Sequence, residues 1–362
     1  MTTETGRNAS ANSGPARALA PRAAITLAAI AAYYFAGFIP LPGVDPDTAE
    51  NFLRENGATL PFQAFSGFML GTVPMFSALI FAEVLMLVFP SLRHLKESPE
   101  TQKRFELGVL IAALAIAAFQ AWGMASALEN ITGLVPQPGL GFRLSCVVAM
   151  IGATLLIAWL ATLITKYGLG HGFWLLFLTP LLVSAVGAAA FAASGTGTGA
   201  VSAAAVLVLP VCIAAAGFVL YRLEYANPGS AEREMFIWPV VLASAASGWL
   251  LLPLMFFVQP EQMTTLTSLA APGQPLRLLA LAVLIPAVTY MRFESVTGIP
   301  PETGKGSSPL AVALGLTAIM IAGDLLSVWS GLPAVPDAQA LIILISVALA
   351  VWPTRAAAAS HL

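Results

Sequence analysis

Two acidic side chains stand where acids are expensive. Glu83 interrupts the apolar run Phe68 to Phe89, and Asp324 interrupts the run Leu310 to Trp329. A carboxylate at the centre of a spanning helix costs about 2.5–3.5 kcal/mol on insertion scales. Both acids therefore must face protein or water. Two kinds of chemistry are open to them: coupling to a proton or cation, or membership of a polar cluster between helices. The plainer reading, a hydrogen-bonded structural acid near a helix end, stays open for each.

Other reactive residue types form no constellation. Gly168, Gly170 and Gly172 have the wrong spacing for a phosphate-binding loop, no Lys-Ser/Thr follows, and no strand precedes them, which predicts a tight turn. His94, His171 and His361 are scattered, with no carboxylate or cysteine at metal-ligand spacing. Ser, Cys and His are not arranged for nucleophilic catalysis. Cys146 and Cys212 lie inside apolar runs and read as small buried hydrophobes. The sequence points to no metal, no cofactor and no enzyme.

The elements that must position Glu83 and Asp324 are membrane-spanning helices. Hydrophobic residues make up 58% of 362 and charged residues 9%, with mean hydropathy +0.85. Soluble domains carry about 25% charged residues, so most of this surface faces a lipid bilayer. A net charge of −2 excludes nucleic-acid binding by phosphate neutralisation. A span needs about 20 mainly apolar residues. Ten runs approach this: Ala23–Ile39, Phe68–Phe89, Leu107–Leu128, Phe142–Ile164, Phe173–Ala193, Ala200–Tyr221, Phe236–Val258, Leu276–Met291, Leu310–Trp329 and Leu341–Trp352. The first reads as a retained helix, since Pro40 and Pro42 follow it without a small-residue cleavage signature. With the N-terminus inside, 13 of 16 Lys and Arg residues become cytoplasmic, leaving Arg54, Arg143 and Arg277 outside. That bias predicts both termini on the cytoplasmic side.

The organisation expected is a disordered N-terminus over 1–22, helices one to five over 23–196, helices six to ten over 197–354, and a short tail over 355–362. Two sets of five helices have opposite orientations, as an inverted repeat requires. The longest outside loop, Pro40 to Gln63, carries Asp45, Asp47, Glu50 and Glu55.

Several stretches then resemble one family, in order. They are Phe38-Ile-Pro-Leu-Pro-Gly-Val-Asp-Pro46 after the first helix, Phe65-Ser66-Gly67, and Leu70-Gly71 with Pro74 and Ser77-Ala78. Next come Val88-Phe89-Pro90, Phe119-Gln120-Ala121 with Gly123, and Ile164-Thr165 with Gly168, Gly170 and Gly172. Trp238-Pro239 with Ala243-Ser244, and Pro272-Gly273-Gln274-Pro275, complete the series. Together they resemble the SecY family of protein-conducting channels, most strongly from Ala23 to Gly172. The resemblance implies an all-α membrane fold of about ten helices with a five-plus-five inverted repeat. It also implies protein translocation or insertion in a bacterial inner membrane.

By family position, the resemblance implies a constriction ring of Phe76, Ile80, Phe177, Leu181, Val241 and Ile343. It implies a polar lateral-gate cluster of Glu83, Gln120 and Ser244. Phe65, Ser66 and Gly67 open the family's plug segment, which is shortened here. Arg222 to Met235 is a far shorter loop than the family's basic finger, and Pro300 replaces an arginine in Gly298-Ile-Pro-Pro-Glu-Thr303. Those loops carry ribosome and SecA docking in the family, so use of either should be reduced or absent. The implied partners are a SecE-like small membrane subunit and hydrophobic polypeptide clients. Two other functions stand beside this one: a non-conducting assembly or regulatory paralogue, and a small-molecule or ion secondary transporter with Glu83 and Asp324 as coupling acids.

Overall fold

The computed structural model describes residues 15–55, 65–89, 91–92, 95, 98–193, 203–226, 234–249, 268–269, 271–297, 309–330 and 338–351. Among them are eleven helices: α1 (Pro15–Ala36), α2 (Pro46–Glu55), α3 (Val73–Val88), α4 (Pro99–Glu129), α5 (Leu140–Tyr167), α6 (Gly172–Ala193), α7 (Ala203–Ala226), α8 (Ile237–Trp249), α9 (Pro275–Thr297), α10 (Pro309–Ser330) and α11 (Ala338–Val351). All but α2 fall on the ten apolar runs. Among the described residues, four helical stretches, Glu100–Glu129, Leu140–Tyr167, Pro275–Phe293 and Pro309–Val328, are by themselves long and apolar enough to cross a membrane.

Two features depart from expectation. Helix α1 begins at Pro15, inside the stretch expected to be disordered; proline at a helix's first position loses no hydrogen bond, and the following residues are rich in alanine. Helix α2 lies within the expected loop Pro40 to Gln63. Its signals are Asp45 before Pro46, and Ala49, Phe52 and Leu53 at helical spacing. The Thr48 amide and hydroxyl both donate to Asp45 Oδ2, at 2.9 and 2.6 Å, closing the helix start. These two bonds hold the Asp45 carboxyl below its ordinary range.

The chain packs as two compact units, one of Met1–Met75 and Leu110–Thr179, the other of Phe76–Val109 and Pro180–Leu362. The boundaries fall within α3, α4 and α6.

Among the described residues, the first unit has two apolar clusters. In one, Ala117, Ala121, Ala125 and Leu128 of α4 meet Leu41, Phe65, Leu70, Leu134 and the start of α5. Alanine every fourth residue gives α4 a smooth face that lets another backbone approach closely. The other joins Ala29 and Tyr33 of α1 to Phe68, Ile157, Leu160, Ile164 and Leu176. Glu129 at the end of α4 accepts from Arg143 of α5 at 2.6 and 2.8 Å and from the Gly139 amide at 2.7 Å.

The glycine turn between α5 and α6 is structural, as its spacing predicts. Gly170 has φ +72°, and a Cβ on Gly172 would lie 2.1 Å from the Ala161 carbonyl oxygen. Arg22 Nε donates to the Gly168 carbonyl at 2.8 Å, and the Leu169 amide donates to Thr26 Oγ1 at 2.9 Å, tying the turn to α1.

Among the described residues, the second unit has an apolar cluster drawn from five helices: Leu220 of α7, Val240 and Ala243 of α8, Leu281 and Ile285 of α9, Val312 and Met320 of α10, and Ala338 and Ile342 of α11. Gly323 makes close packing of α10 against α11 possible, since a Cβ there would sit 2.3 Å from that of Ala338.

Candidate functional site

Helix α3 presents one buried edge within the second unit. Ile80, Glu83 and Met86 recur every third residue and are buried, while Phe81, Leu85 and Val88 are exposed. This spacing puts the acid on the helix's packed face. Glu83 is only 6% exposed, so its charge must be answered by protein.

The answer comes from α9. Arg292 Nη1 donates to Glu83 Oε2, and Arg292 is itself 8% exposed. The guanidinium carbon lies 5.7 Å from the centre of the Trp238 ring on α8, within range of a cation–π attraction. Trp238 is buried, and its indole Nε1 donates to Glu234 Oε2 at 2.5 Å. Three helices, α3, α8 and α9, thus meet at a charged centre lined by a flat aromatic wall. Such a centre holds helices in one arrangement, because separating the partners in a medium of low polarity leaves two unanswered charges.

Asp324 is paired in the same way. Arg277 Nε donates to Asp324 Oδ2 at 2.6 Å, with a second contact at 3.3 Å from Nη2 to Oδ1, joining α9 to α10. Each of the acids singled out from sequence therefore has an arginine partner. The sequence reading placed Arg292 among the cytoplasmic flanking charges; the structure buries it, because its guanidinium serves Glu83.

The other residues of the expected polar cluster are distributed as follows. Ser244 is on α8, half-buried, and its Oγ has no hydrogen-bond partner among the described residues. Gln120 is on α4 in the first unit, with Oε1 in the same condition. Of the expected ring, Phe76, Ile80, Leu181, Val241 and Ile343 belong to the second unit and Phe177 to the first. Ile80, Val241 and Ile343 are buried, Phe76 is half-buried, and Leu181 is exposed. Phe177 lies edge-on to Trp174, with centroids 6.0 Å apart. Phe65 and Ser66 are buried and Gly67 is half-buried, all in the first unit. Residues 227–233 and 298–308, which hold most of the trimmed loops, lie outside the described residues, as do His94 and His361.

Sequence reasoning missed Arg292 and the role of Trp238. One signal for Arg292 was available: a buried acid in one span implies a basic partner in another. Nothing local distinguishes Arg292 from a charge that merely ends a span.

Against this geometry, the SecY family model matches residues 66–302. The chain belongs to the SecY family. Among relatives of this SecY-family chain is the protein translocase subunit SecY of Thermus thermophilus, 34% identical over 181 residues, or 46% of this chain and 41% of that one. That of Escherichia coli K12 is 27% identical over 217 residues, 56% of this chain and 49% of the relative. That of Haemophilus influenzae is 28% identical over 314 residues, 76% and 71% respectively. The chain thus aligns with about half the length of the first two. Among solved structures, Sec61 in the canine ribosome-channel complex from the endoplasmic reticulum matches with TM-score 0.55 and 11% identity, covering 92% of this chain and 91% of that one. A structure described as that of a protein conducting channel matches with TM-score 0.54 and 11% identity over the same shares. At that identity the likeness is one of fold: an all-α membrane protein built on the SecY/Sec61 plan.

Proposed function

We propose that this SecY-family member is a protein translocation channel or membrane insertase of a bacterial inner membrane, with both termini cytoplasmic. One observation carries the reading: the fold of a protein conducting channel extends over 92% of the chain, alongside a family match over 66–302. Its partners are a SecE-like small membrane subunit and hydrophobic polypeptide clients. The short connection between α7 and α8, and the sequence at 298–303 with Pro300 in place of an arginine, argue for little use of ribosome or SecA. The bulky apolar residues Phe76, Ile80, Phe177, Leu181, Val241 and Ile343 are of the kind that blocks ions by excluding water yet yields to a passing chain. Glu83, Gln120 and Ser244 are the polar residues of its lateral gate, with Arg292 as the charge partner of Glu83.

The transporter reading rested on Glu83 and Asp324 as coupling acids, and their pairing with Arg292 and Arg277 gives both a structural occupation. The deciding experiment is purification in mild detergent, identification of copurifying proteins, and reconstitution of the purified chain with a model client carrying one hydrophobic segment. A SecE-like subunit and protease-protected or inserted client are expected. Neither copurification nor client insertion, from correctly folded protein, would move the assignment to a non-conducting paralogue.

A further inference from the structure

The segment 65–72 connects to α3 and forms no regular helix, yet it lies inside the first unit. Phe65, Ser66, Phe68, Leu70 and Thr72 are all buried, Ser66 to 1% exposure. Its backbone is tied at both ends and along its length. The Leu41 amide donates to the Phe65 carbonyl at 2.9 Å, and Pro40 and Ser66 form an antiparallel bridge. The Phe68 amide donates to Ser66 Oγ at 3.1 Å, the Gly71 amide to the Phe68 carbonyl at 2.7 Å, and the Val73 amide to the Leu70 carbonyl at 3.1 Å. Phe65 lies edge-on to Phe52 of α2, and Phe68 edge-on to Tyr33 of α1. Phe65 and Leu70 belong to one apolar cluster of the unit and Phe68 to the other.

Phe65 also holds φ +54°. A bulky residue occupies that region only when its surroundings determine it more strongly than its own preference. Irregular backbone in a membrane protein is stable only where protein covers it. Both conditions are met by packing on α1, α2 and α5.

We propose that residues 65–72 are a fixed wedge of the first unit's core, and that they stay in place throughout the working cycle rather than moving out as a displaceable seal. Removing the wedge would expose Phe65, Phe68 and Leu70 and break the Leu41–Phe65 bond, so its departure is coupled to loss of both apolar clusters. The inference rests on the channel reading for what the working cycle is, but not for where the segment lies.

Two measurements test it on the full chain in lipid nanodiscs. The first is amide hydrogen exchange, with and without a synthetic Leu/Ala peptide of about 20 residues, long enough to span. The Leu41, Phe68, Gly71 and Val73 amides are expected to exchange slowly in both conditions. Loss of their protection when the peptide is added overturns the wedge. The second is Pro40→Cys with Ser66→Cys, in a Cys146→Ala, Cys212→Ala background. Residues facing each other in an antiparallel pair lie about 4.5–5.5 Å apart, inside the range a disulfide spans. The oxidised protein is expected to insert client at the rate of the same protein after reduction. Loss of insertion on oxidation, restored by reductant, overturns the proposal. Should the wild-type chain insert no client at all, the channel reading fails while the exchange data still decide the wedge.

Discussion

Replacing Arg292 by methionine removes the guanidinium that answers Glu83, while keeping most of the side chain's apolar length. Both partners are about nine-tenths buried, so water cannot take over the role of the guanidinium. Breaking one side of a buried ion pair costs about 3–5 kcal/mol, because the remaining charge is left uncompensated. Loss of the Trp238 contact adds about 0.5–2 kcal/mol to the destabilisation. Glu83→Gln should cost less, since an amide oxygen still accepts from Arg292 and no isolated acid remains. The double variant Glu83→Leu, Arg292→Met should recover most of the loss, as well-packed apolar replacements of buried pairs are often neutral. The assay is reversible denaturation in mixed micelles, applied to the wild type, Glu83→Leu, Arg292→Met and their double variant as a cycle, with Glu83→Gln measured beside them. A favourable coupling of at least about 1 kcal/mol is expected, since contacting charges act non-additively. If Arg292→Met unfolds within about 0.5 kcal/mol of wild type, the range typical of an exposed substitution, the pair is not the clasp described here.

Asp324→Asn with Arg277 retained should destabilise the α9–α10 contact less than Arg277→Met does, because the amide preserves one acceptor; equal losses in thermal unfolding would contradict the pairing. Gly172→Ala pushes a methyl into the Ala161 carbonyl, which is backbone and yields only by moving helices, so a cost of about 1–3 kcal/mol or more is expected. Gly152→Ala on α5 meets nothing within 4 Å and should be neutral or stabilising in the same unfolding assay. For Asp45, the bonds from Thr48 lower the folded-state pKa, so its stabilising contribution is present above the ordinary carboxylate value of about 3.9 and disappears as pH falls through the lower folded value. A carbon-13 NMR titration should place the Asp45 midpoint higher in Thr48→Val than in wild type, and identical midpoints would refute the capping account.

The ten apolar runs, the structural nature of the glycine turn at 168–172 and the family itself were legible in the sequence. Hydropathy and turn chemistry are local properties, and a bilayer imposes a length that local composition must satisfy. The burial of Glu83 and Asp324 away from lipid was legible for the same reason. Helix α2 was recoverable from Asp45, Pro46 and the spacing of Ala49, Phe52 and Leu53, yet its charged exposed face made it resemble a loop. What tertiary structure decided was pairing. Glu83 and Arg292 are separated by 209 positions, and Arg277 and Asp324 by 47. No period or motif selects among sixteen basic residues; the choice falls to which helices pack together and which of their faces meet. The wedge at 65–72 was decided likewise, since its turns gain stability from α1, α2 and α5 rather than from any preference of its own residues.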